Sequence, residues 1–347
     1  IRDVAVTGVQ TCALPIYKVV GKSRGSFANA IFRNLVKITD LDKKIEESNL
    51  SNIAKLSIKY SHPEWIVQSY ADVLPDHQGL VALLTANNSS TKPDFVAWPG
   101  KADRATEVGE AIVGTHFGFT SDLAPVNMPS VSERRVGVQD RGSQLVGEVF
   151  LATANINEKK LSWLDMCAGP GGKAAFLYNY LATFRPADSF TANEISPHRA
   201  DLVKQVVPAE HVLVSDGQDI KGQFDRILVD APCTGLGALR RRPEARWRKS
   251  DADLKELIKI QKELIDGAIS MLNPGGIIGY ATCSPHSLET KVQVADALIR
   301  HKNFELMDIS TLNPGFKTGI QKDGTMQLWT HRDGCDSMYL ALLRMKP

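Results

Sequence analysis

The stretch LSWLDMCAGPGGKAAFLYNYLATF, residues 161–184, decides the fold. It reads as an apolar strand, a turn rich in glycine, and a helix. Units of this kind build parallel sheets, in which ligands bind beyond the carboxyl ends of the strands. Gly169, Gly171 and Gly172 have no Cβ atom, so the backbone at the turn can approach a ligand closely and offer N–H donors. We therefore expect a ligand site at this turn.

Strand candidates alternate with helix candidates throughout the second half of the chain. The clearest helix covers residues 251–272, where Ser250 and Asp253 provide an N-terminal cap and Pro274 ends the pattern. This alternation predicts an α/β fold with a Rossmann-like, mostly parallel sheet that helices cover on both faces. The strands are expected at 161–166, 189–194, 211–214, 224–230, 275–283 and 338–344.

The first half of the chain has a more mixed pattern. Helical spacing is seen at 17–37 and again at 53–74, and short helix-like and strand-like pieces alternate over 80–130. Pro125, Pro129 and Ser130 are typical of a linker ahead of residue 136. Residues 1–16 lack the features of a signal peptide and resemble translated sequencing-adaptor read-through, so we exclude them and Cys12 from the fold.

Composition limits the class of protein. The 347 residues carry a net charge of +2, with 43% hydrophobic and 23% charged residues, as in soluble globular proteins of two or three domains. Five cysteines without a CxxC pair disfavour a disulfide scaffold and a zinc ribbon, and no metal site is expected. There is no run of eighteen apolar residues, so we expect no membrane partner and a reduced, cytoplasmic compartment.

Acidic residues follow successive strand candidates. Glu194 ends the second strand, where a carboxylate can bind ribose hydroxyls, Asp216 follows the third, and Asp230 ends the fourth. Glycines for a carboxylate, together with acids for a ribose, an adenine amine and an ammonium group, match S-adenosylmethionine. Each acid taken alone is equally typical of a turn or a helix cap. Their occurrence on successive strands favours the cofactor.

Two cysteines follow strand candidates at the same expected edge of the sheet. Cys233 ends FDRILVDAPC, residues 224–233, and Cys283 ends GGIIGYATC, residues 275–283. Two thiols beside a cofactor turn indicate covalent chemistry on a substrate. The alternative for a free cysteine is a small buried hydrophobic residue, which is our prediction for Cys335.

A basic segment, LRRRPEARWRK, covers residues 239–249 and contains six basic side chains against the single acid Glu244. A solvated loop explains such a composition. Its place shortly after Cys233 also favours a surface that contacts phosphates. The candidate RNA-contacting residues are Arg240, Arg241, Arg242 and Arg248.

Taken together, DMCAGPGGK, NEISPHR, SDGQD, DAPCTGLGALRRRPEARWR and YATCSPHSLE resemble the motif series of the Nol/Nop/Sun RNA cytosine-C5 methyltransferases. The resemblance covers residues 17–347, and the paired DAPC and TCS signatures are its most specific part. YSHPEWIV, VQDRGSQLV and QLWTHRDGCDSMYLALLR are similar to the bacterial Sun-type members, which modify 16S ribosomal RNA. The turn departs from the more usual CAAPGGK by having Gly169, a small-for-small change that we expect to be tolerated.

The resemblance implies a domain organisation and a set of partners. Residues 17–40 would be a remnant of a helical RNA-binding domain similar to NusB, residues 41–135 a small α+β RNA-binding domain, and residues 136–347 the methyltransferase domain. The implied cofactor is S-adenosylmethionine. The implied partner is RNA, expected to be 16S rRNA before full subunit assembly, bound by a monomer.

The resemblance also implies roles for individual residues. Cys283 is similar to the nucleophile of the family and Cys233 to its release cysteine, with Asp230 and Lys173 as further catalytic groups. For Cys167 itself a packing or backbone role is the preferred interpretation. The implied cofactor contacts are Cys167, Ala168, Gly169, Pro170, Gly171, Gly172, Lys173, Glu194, Arg199, Asp216 and Asp230.

Two other functions are compatible with parts of the pattern. In a DNA cytosine-C5 methyltransferase the cysteine of the Pro-Cys motif itself attacks, which would leave Cys283 without a role. A catalytically silent RNA-binding or ribosome-assembly factor would need neither cysteine nor the turn. The intact Cys233, Cys283 and glycine turn favour an RNA methyltransferase over both.

Overall fold

The computed structural model describes residues 21–36, 40–74, 76–154, 160–312 and 319–346. The adaptor-like segment 1–16 lies outside the described residues. The chain divides into two compact units, the first ending at Ser61 and the second beginning at His62. No helix among the described residues is long and apolar enough to cross a membrane.

The first unit is helical. Side-chain caps begin two of its helices: Asp40 accepts a hydrogen bond from the Lys43 backbone N–H at 2.9 Å, and Ser51 accepts one from Ala54 at 3.1 Å. The helices are α1 (Lys22–Val36), α2 (Leu41–Glu46) and α3 (Asn52–Tyr60). The helix predicted over 17–37 corresponds to α1, and residues 17–20 lie outside the described residues.

The second unit begins with two helices, α4 (Glu64–Val73) and α5 (His77–Ala86). The amphipathic pattern at 53–74 predicted a single stretch, but the chain breaks between α3 and α4. Ser61 adopts a left-handed conformation, with φ of 54°, and Pro63 lies directly before α4. A proline disfavours the helical conformation of the residue before it, which accounts for the break.

A small antiparallel sheet follows, with the order β2-β3-β1-β4. Its core contains the stacked rings of Phe95 and Phe119, whose centroids lie 5.3 Å apart. The sheet consists of β1 (Asp94–Ala97), β2 (Glu110–Ala111), β3 (Gly118–Thr120) and β4 (Val136–Val138), with the short helix α6 (Pro129–Ser132) where a linker was expected. Because β4 pairs with β1, the small sheet extends past residue 135.

The large sheet has the order β10-β12-β9-β8-β5-β6-β7, and β11 pairs with β12. Its strands are β5 (Ser162–Asp165), β6 (Ser189–Asn193), β7 (Val212–Leu213), β8 (Phe224–Asp230), β9 (Leu272–Thr282), β10 (Phe304–Met307), β11 (Met326–Gln327) and β12 (Tyr339–Met345). The helices are α7 (Arg141–Leu151), α8 (Gly172–Phe184), α9 (Pro197–Val203), α10 (Asp251–Ser270), α11 (Lys291–Arg300) and α12 (Thr330–Asp333).

The five strands from β9 to β7 are parallel, whereas β12 pairs antiparallel to β9 and to β10. The predicted α/β fold with a mostly parallel sheet is therefore confirmed. From β5 the chain runs outward through β6 to β7 and then crosses back to β8 on the other side of β5, and α/β sheets bind their ligands at such a switch point. The carboxyl ends of β5 and β8 carry the glycine turn and Cys233.

Apolar layers cover the two faces of the large sheet. Trp163 and Phe150 pack edge-on at 5.4 Å on one face, and Ile265 of α10 packs with Tyr280 on the other. The predicted helix at 251–272 is confirmed as α10, and its cap joins Ser250 and Asp253 reciprocally. Pro274, which was predicted to end that helix, is an exposed residue near the start of β9.

Candidate active site

Two adjacent parallel strands bring the predicted thiols together. Strand β8 pairs with β9 so that Asp230 lies opposite Ala281. After each of these residues, the polypeptide reaches the cysteine within three residues. The Sγ atoms of Cys233 and Cys283 lie 3.4 Å apart, within hydrogen-bond distance for sulfur. Both thiols are partly exposed. Strand pairing therefore places two residues that are fifty positions apart at one point.

The loop after Cys233 is held against the end of β9 by backbone hydrogen bonds. Gly237 donates to the carbonyl of Cys283 at 2.9 Å and accepts from the backbone N–H of Ser337 at 2.9 Å. A Cβ atom at Gly237 would lie 2.2 Å from the carbonyl oxygen of Ser337 and 2.8 Å from that of Cys283. Only glycine permits this approach, which fixes the distance between the two cysteine loops.

The N-terminal helices of the second unit contact the same loop. The buried hydroxyl of Tyr70 in α4 donates to the carbonyl of Leu236 at 2.6 Å. Arg246, also buried, donates to the carbonyl of Asn87 at 2.8 Å and to the side chain of Asn88 at 2.7 Å. The turn Pro243–Trp247 is therefore anchored beneath its surface, although Trp247 itself is 67% exposed.

The two cysteines differ in their surroundings. The hydrogen bond with Cys283, followed by burial, raises the pKa of Cys233 well above its usual range. Cys233 therefore stays a thiol at neutral pH and can donate a hydrogen bond to the sulfur of Cys283. Lys173 lies close enough to Cys283 to interact with it electrostatically.

Lys173 and Asp230 form an ion pair at this edge of the sheet, with Nζ 2.9 Å from Oδ2. Burial acts to lower the pKa of Lys173, but the charge and hydrogen bond of Asp230 outweigh it, so the pKa is raised. Lys173 is therefore a permanent cation. The pair connects α8, which begins at the glycine turn, with the end of β8.

The glycine turn has the geometry expected for a ligand site. Gly171 has φ of +116°, a conformation that L side chains rarely adopt, and α8 begins at the next residue. Glu194 is buried and accepts hydrogen bonds from the backbone N–H groups of Gly169 and Ser196, both at 3.0 Å. A Cβ atom at Gly169 would lie 2.2 Å from Oε2 of Glu194. The more usual alanine would therefore require this carboxylate to move.

The other predicted cofactor residues surround the turn in different ways. Arg199 donates to the carbonyl of Gly169 and lies 3.5 Å from Glu194. Asp216 is exposed and accepts from the backbone of Gln218 at 3.1 Å, so in this conformation it acts as a turn cap. Burial raises the pKa of Cys167 well above its usual range, and its side chain packs against the core. These surroundings suit a packing role for the side chain of Cys167, which stays a prediction.

Asp165, at the end of β5, was not among the predicted site residues. Its side chain is fully buried, and neither carboxylate oxygen has a hydrogen-bond partner of normal geometry among the described residues. Burial, together with the charge of Asp230, raises its pKa to about 8. Buried polar groups are normally paired. Its place as the last residue of β5, directly before the turn, was the available sequence signal.

The four predicted RNA-contacting arginines fall into two groups. Arg241 forms a two-point ion pair with the buried Asp336 and lies 3.9 Å from Asp140, so it neutralises internal carboxylates although its own side chain is 40% exposed. Arg240 donates to the carbonyl of Gly334 at 2.9 Å. Arg242 and Arg248 are exposed, and neither forms an ion pair within the part of the chain that the structure describes.

A family model described as 16S rRNA methyltransferase RsmB/F matches residues 151–344. The chain belongs to the RsmB/F family of 16S rRNA methyltransferases. It is 40% identical over 338 residues to a Mycobacterium tuberculosis (strain H37Rv) protein with a provisional methyltransferase name, covering 93% of this chain and 72% of the relative. It is 30% identical to the ribosomal RNA small subunit methyltransferase B of Pectobacterium carotovorum (strain PC1), covering 86% and 70%.

Solved structures show the same fold. The crystal structure of PH0851 matches with a TM-score of 0.75 at 21% identity, covering 95% of this chain and 75% of that one. The structure of NSun6 from Pyrococcus horikoshii with SFG matches with a TM-score of 0.66 at 14% identity, covering 82% and 98%. RsmB/F membership and this fold confirm the resemblance inferred from the motifs.

The cofactor of this RsmB/F chain is S-adenosylmethionine, and the residues at the turn fit it. The first backbone N–H groups of α8 are donors for a carboxylate. Glu194 and Asp230 offer acceptors for hydroxyl and ammonium groups, and near them lies the buried side chain of Asp165, whose oxygens have no hydrogen-bond partner of normal geometry within the described ranges. These protein donors and acceptors complement a ligand that is a nucleoside carrying an amino acid and a positive charge.

Asp165 gives a prediction for stability against pH. Its folded pKa lies above its usual value, so between about pH 4 and pH 8 the native state binds more protons than the unfolded state, and stability falls as pH rises. Asp165→Asn should remove this contribution, up to about 1.4 kcal/mol per pH unit. Urea unfolding of both proteins at pH 5, 6, 7 and 8 measures the difference. Parallel stability curves would contradict the prediction.

Proposed function

We propose that this chain transfers a methyl group to C5 of a cytosine in 16S rRNA through a covalent bond between Cys283 and C6 of the base. The observation that carries the proposal is the 3.4 Å separation of the Cys233 and Cys283 sulfur atoms beside the Lys173–Asp230 pair. A cytosine ring that lies over one sulfur is then within reach of the other. RsmB/F membership supports the RNA substrate.

The chemistry requires a nucleophile because C5 of cytosine is itself a weak one. Attack of the Cys283 thiolate forms the S–C6 bond and moves the C5–C6 electron pair toward C5 and N3. Lys173 and the S–H of Cys233 stabilise the thiolate before it attacks. Bound S-adenosylmethionine supplies the methyl group that C5 takes up.

Release of the methylated base reverses the first step. The C5 proton passes to a base, the C5=C6 bond re-forms, and the S–C6 bond breaks to return the Cys283 thiolate. We assign Cys233 to this stage, since its sulfur adjoins that of Cys283 and its S–H can stabilise the departing thiolate. A DNA-type mechanism with Cys233 as the nucleophile would leave the second sulfur without a function.

Bisulfite sequencing of 16S rRNA tests the reaction. RNA from cells lacking this protein is compared with RNA from the same cells supplied with the active chain or with Cys283→Ala. We expect one cytosine to resist conversion only with the active chain. Resistance in all samples, or in none, would contradict the proposal.

We further propose that residues 41–135 contribute to RNA binding, that the substrate is 16S rRNA before full subunit assembly, and that the enzyme acts as a cytoplasmic monomer. A second surface, formed by the exposed side chains of Arg242, Trp247 and Arg248, supports contact with RNA. It combines two cations with an aromatic ring on an anchored turn. Cations can contact the phosphates of a single-stranded nucleic acid, and an aromatic ring can stack on its bases.

Salt dependence distinguishes surface arginines from structural ones. Neutralising both Arg242 and Arg248 with glutamine should reduce the slope of log affinity against log salt by about 1.4, at about 0.7 per phosphate contact with a single strand. Arg241→Gln should leave that slope unchanged and lower stability instead, because it leaves Asp336 and Asp140 without their cation. Filter binding at several salt concentrations measures the slope. An unchanged slope in the double variant would assign the segment to a solvated loop.

A further inference from the structure

Glu289 is a fully buried carboxylate that lies six residues after Cys283. Its Oε1 accepts hydrogen bonds from the backbone N–H of Thr234 at 2.8 Å and from Nε2 of Gln261 at 3.1 Å. Its Oε2 accepts from the hydroxyl of Thr234. No ion pair joins it to a Lys, Arg or His within the described ranges. All of these donors belong to, or contact, the loop that carries Cys233.

The same network holds the residues on both sides of Cys233. Gln261 of α10 donates its Nε2 to the carbonyl of Pro232 at 2.9 Å as well as to Glu289. Thr234, on the other side of Cys233, is bound to Glu289 through its backbone and its hydroxyl. The peptide groups on either side of the release cysteine are therefore fixed by one amide and one carboxylate.

Glu289 is fixed in turn to the strand that leads to Cys283. The hydroxyl of Tyr280 in β9 donates to the backbone carbonyl of Glu289 at 2.8 Å. Ser284, directly after Cys283, lies 3.2 Å from the hydroxyl of Thr234. The network therefore connects the loops of the two cysteines through side chains, independently of the strand pairing.

A buried carboxylate is an unfavourable group with which to join the two cysteine loops if the network serves stability alone. Burying it costs free energy that hydrogen bonds only offset, and an apolar residue of similar volume would fill the space as well. Two of its three hydrogen bonds come from Thr234, directly after Cys233, and the third comes from Gln261, which also binds the carbonyl of Pro232.

We propose that Glu289 is a positioning residue, which holds the Cys233 thiol against Cys283 and thereby sets the rate at which methylated RNA is released. The inference rests on the proposed covalent mechanism. It assigns to Glu289 no contact with the substrate, since the carboxylate is enclosed behind Thr234. Loss of Glu289 should therefore resemble loss of Cys233 and not loss of Cys283.

The test compares Glu289→Ala with Glu289→Gln. The glutamine carbonyl can keep the bonds from Thr234 N–H and Gln261, and its amide can donate to the Thr234 hydroxyl, which then donates to Ser284. Each protein is incubated with S-adenosylmethionine and a 16S rRNA transcript and quenched in SDS. The covalent protein–RNA band and the methyl groups transferred in the first turnover are then quantified.

We expect Glu289→Ala to transfer its first methyl group and then to release RNA about 10- to 100-fold more slowly, with a matching increase in the band. Glu289→Gln should behave as the unaltered protein. A purely structural role would lower stability in both without enriching the band. Enrichment in both would also overturn the inference, because it would make the charge, and not the hydrogen bonds, responsible.

Three further variants keep the result decisive. Cys233→Ala is the reference. If it forms no band, the release role of Cys233 and the positioning role of Glu289 are both contradicted. If Cys233→Ala forms the band and the Glu289 variants do not, only the positioning role of Glu289 is contradicted. If Glu289→Ala does not fold, Thr234→Val removes one hydroxyl at constant volume, and Thr234→Ser restores it. A band enriched in the valine variant and not in the serine variant supports the inference, and no enrichment in either overturns it.

Discussion

Cys233→Ala should leave RNA covalently attached to the protein, whereas Cys283→Ala should form no adduct and transfer no methyl group. The difference follows from the order of the steps. Removing the group that attacks first prevents the adduct, and removing the group that assists release accumulates it. In the structure the two sulfur atoms are 3.4 Å apart, so each variant removes one sulfur of the pair and leaves the other in place.

The measurement is a denaturing gel of each variant incubated with 16S rRNA and S-adenosylmethionine. With Cys233→Ala we expect a slow, SDS-resistant band that disappears when the RNA is digested. The double variant is the control and should give no band, because the nucleophile is absent. A band from Cys283→Ala instead would reverse the two roles, while absence of the band from every variant would contradict a covalent mechanism.

Gly237→Ala should have the second largest effect, although it adds only one methyl group. The new Cβ atom would lie 2.2 Å from the carbonyl oxygen of Ser337 and 2.8 Å from that of Cys283. These are backbone atoms, so the loop must withdraw and lose both of its hydrogen bonds. We expect a loss of about 3 kcal/mol in the free energy of unfolding.

Chemical denaturation of the free protein measures this loss. Gly172→Ala is the matched control for stability, since the nearest atom to its Cβ would be 3.8 Å away and alanine favours the helix that begins there. The Gly237 variant should also lose methyl transfer, because the Cys283 carbonyl moves with the loop. Equal stabilities of the two alanine variants would show that the loop accommodates the methyl group.

Much of the fold could be predicted from local patterns. The alternation of apolar runs and amphipathic segments identified β8 with its exact bounds and α10 with its cap, because those elements carry strong signals in consecutive residues. The strand predicted at 211–214 is shorter in the structure, as β7, and the antiparallel strands β10 and β11 were not predicted. Short and peripheral strands depend on their neighbours more than on their own sequence.

The site was predicted less completely, for a physical reason. Motifs identified Cys233, Cys283 and the glycine turn, but a side chain's partner is decided by tertiary packing. Arg241 was assigned to RNA from the local excess of positive charge, although its partner Asp336 is 95 positions away. Glu289 ends the motif YATCSPHSLE, but the motif indicated no role for it, because its donors come from the loop after β8 and from α10.

The contact between Tyr70 and the carbonyl of Leu236 has a consequence for how this enzyme can be divided. Cutting the chain ahead of β4 would appear to isolate the catalytic portion. It would also delete the hydroxyl that supports the loop after Cys233, the Asn87 carbonyl that anchors Arg246, and the strand that pairs with β4. An excised catalytic fragment would therefore keep its methyl-donor site and lose the order of its release loop, so any shortened version should begin no later than His62.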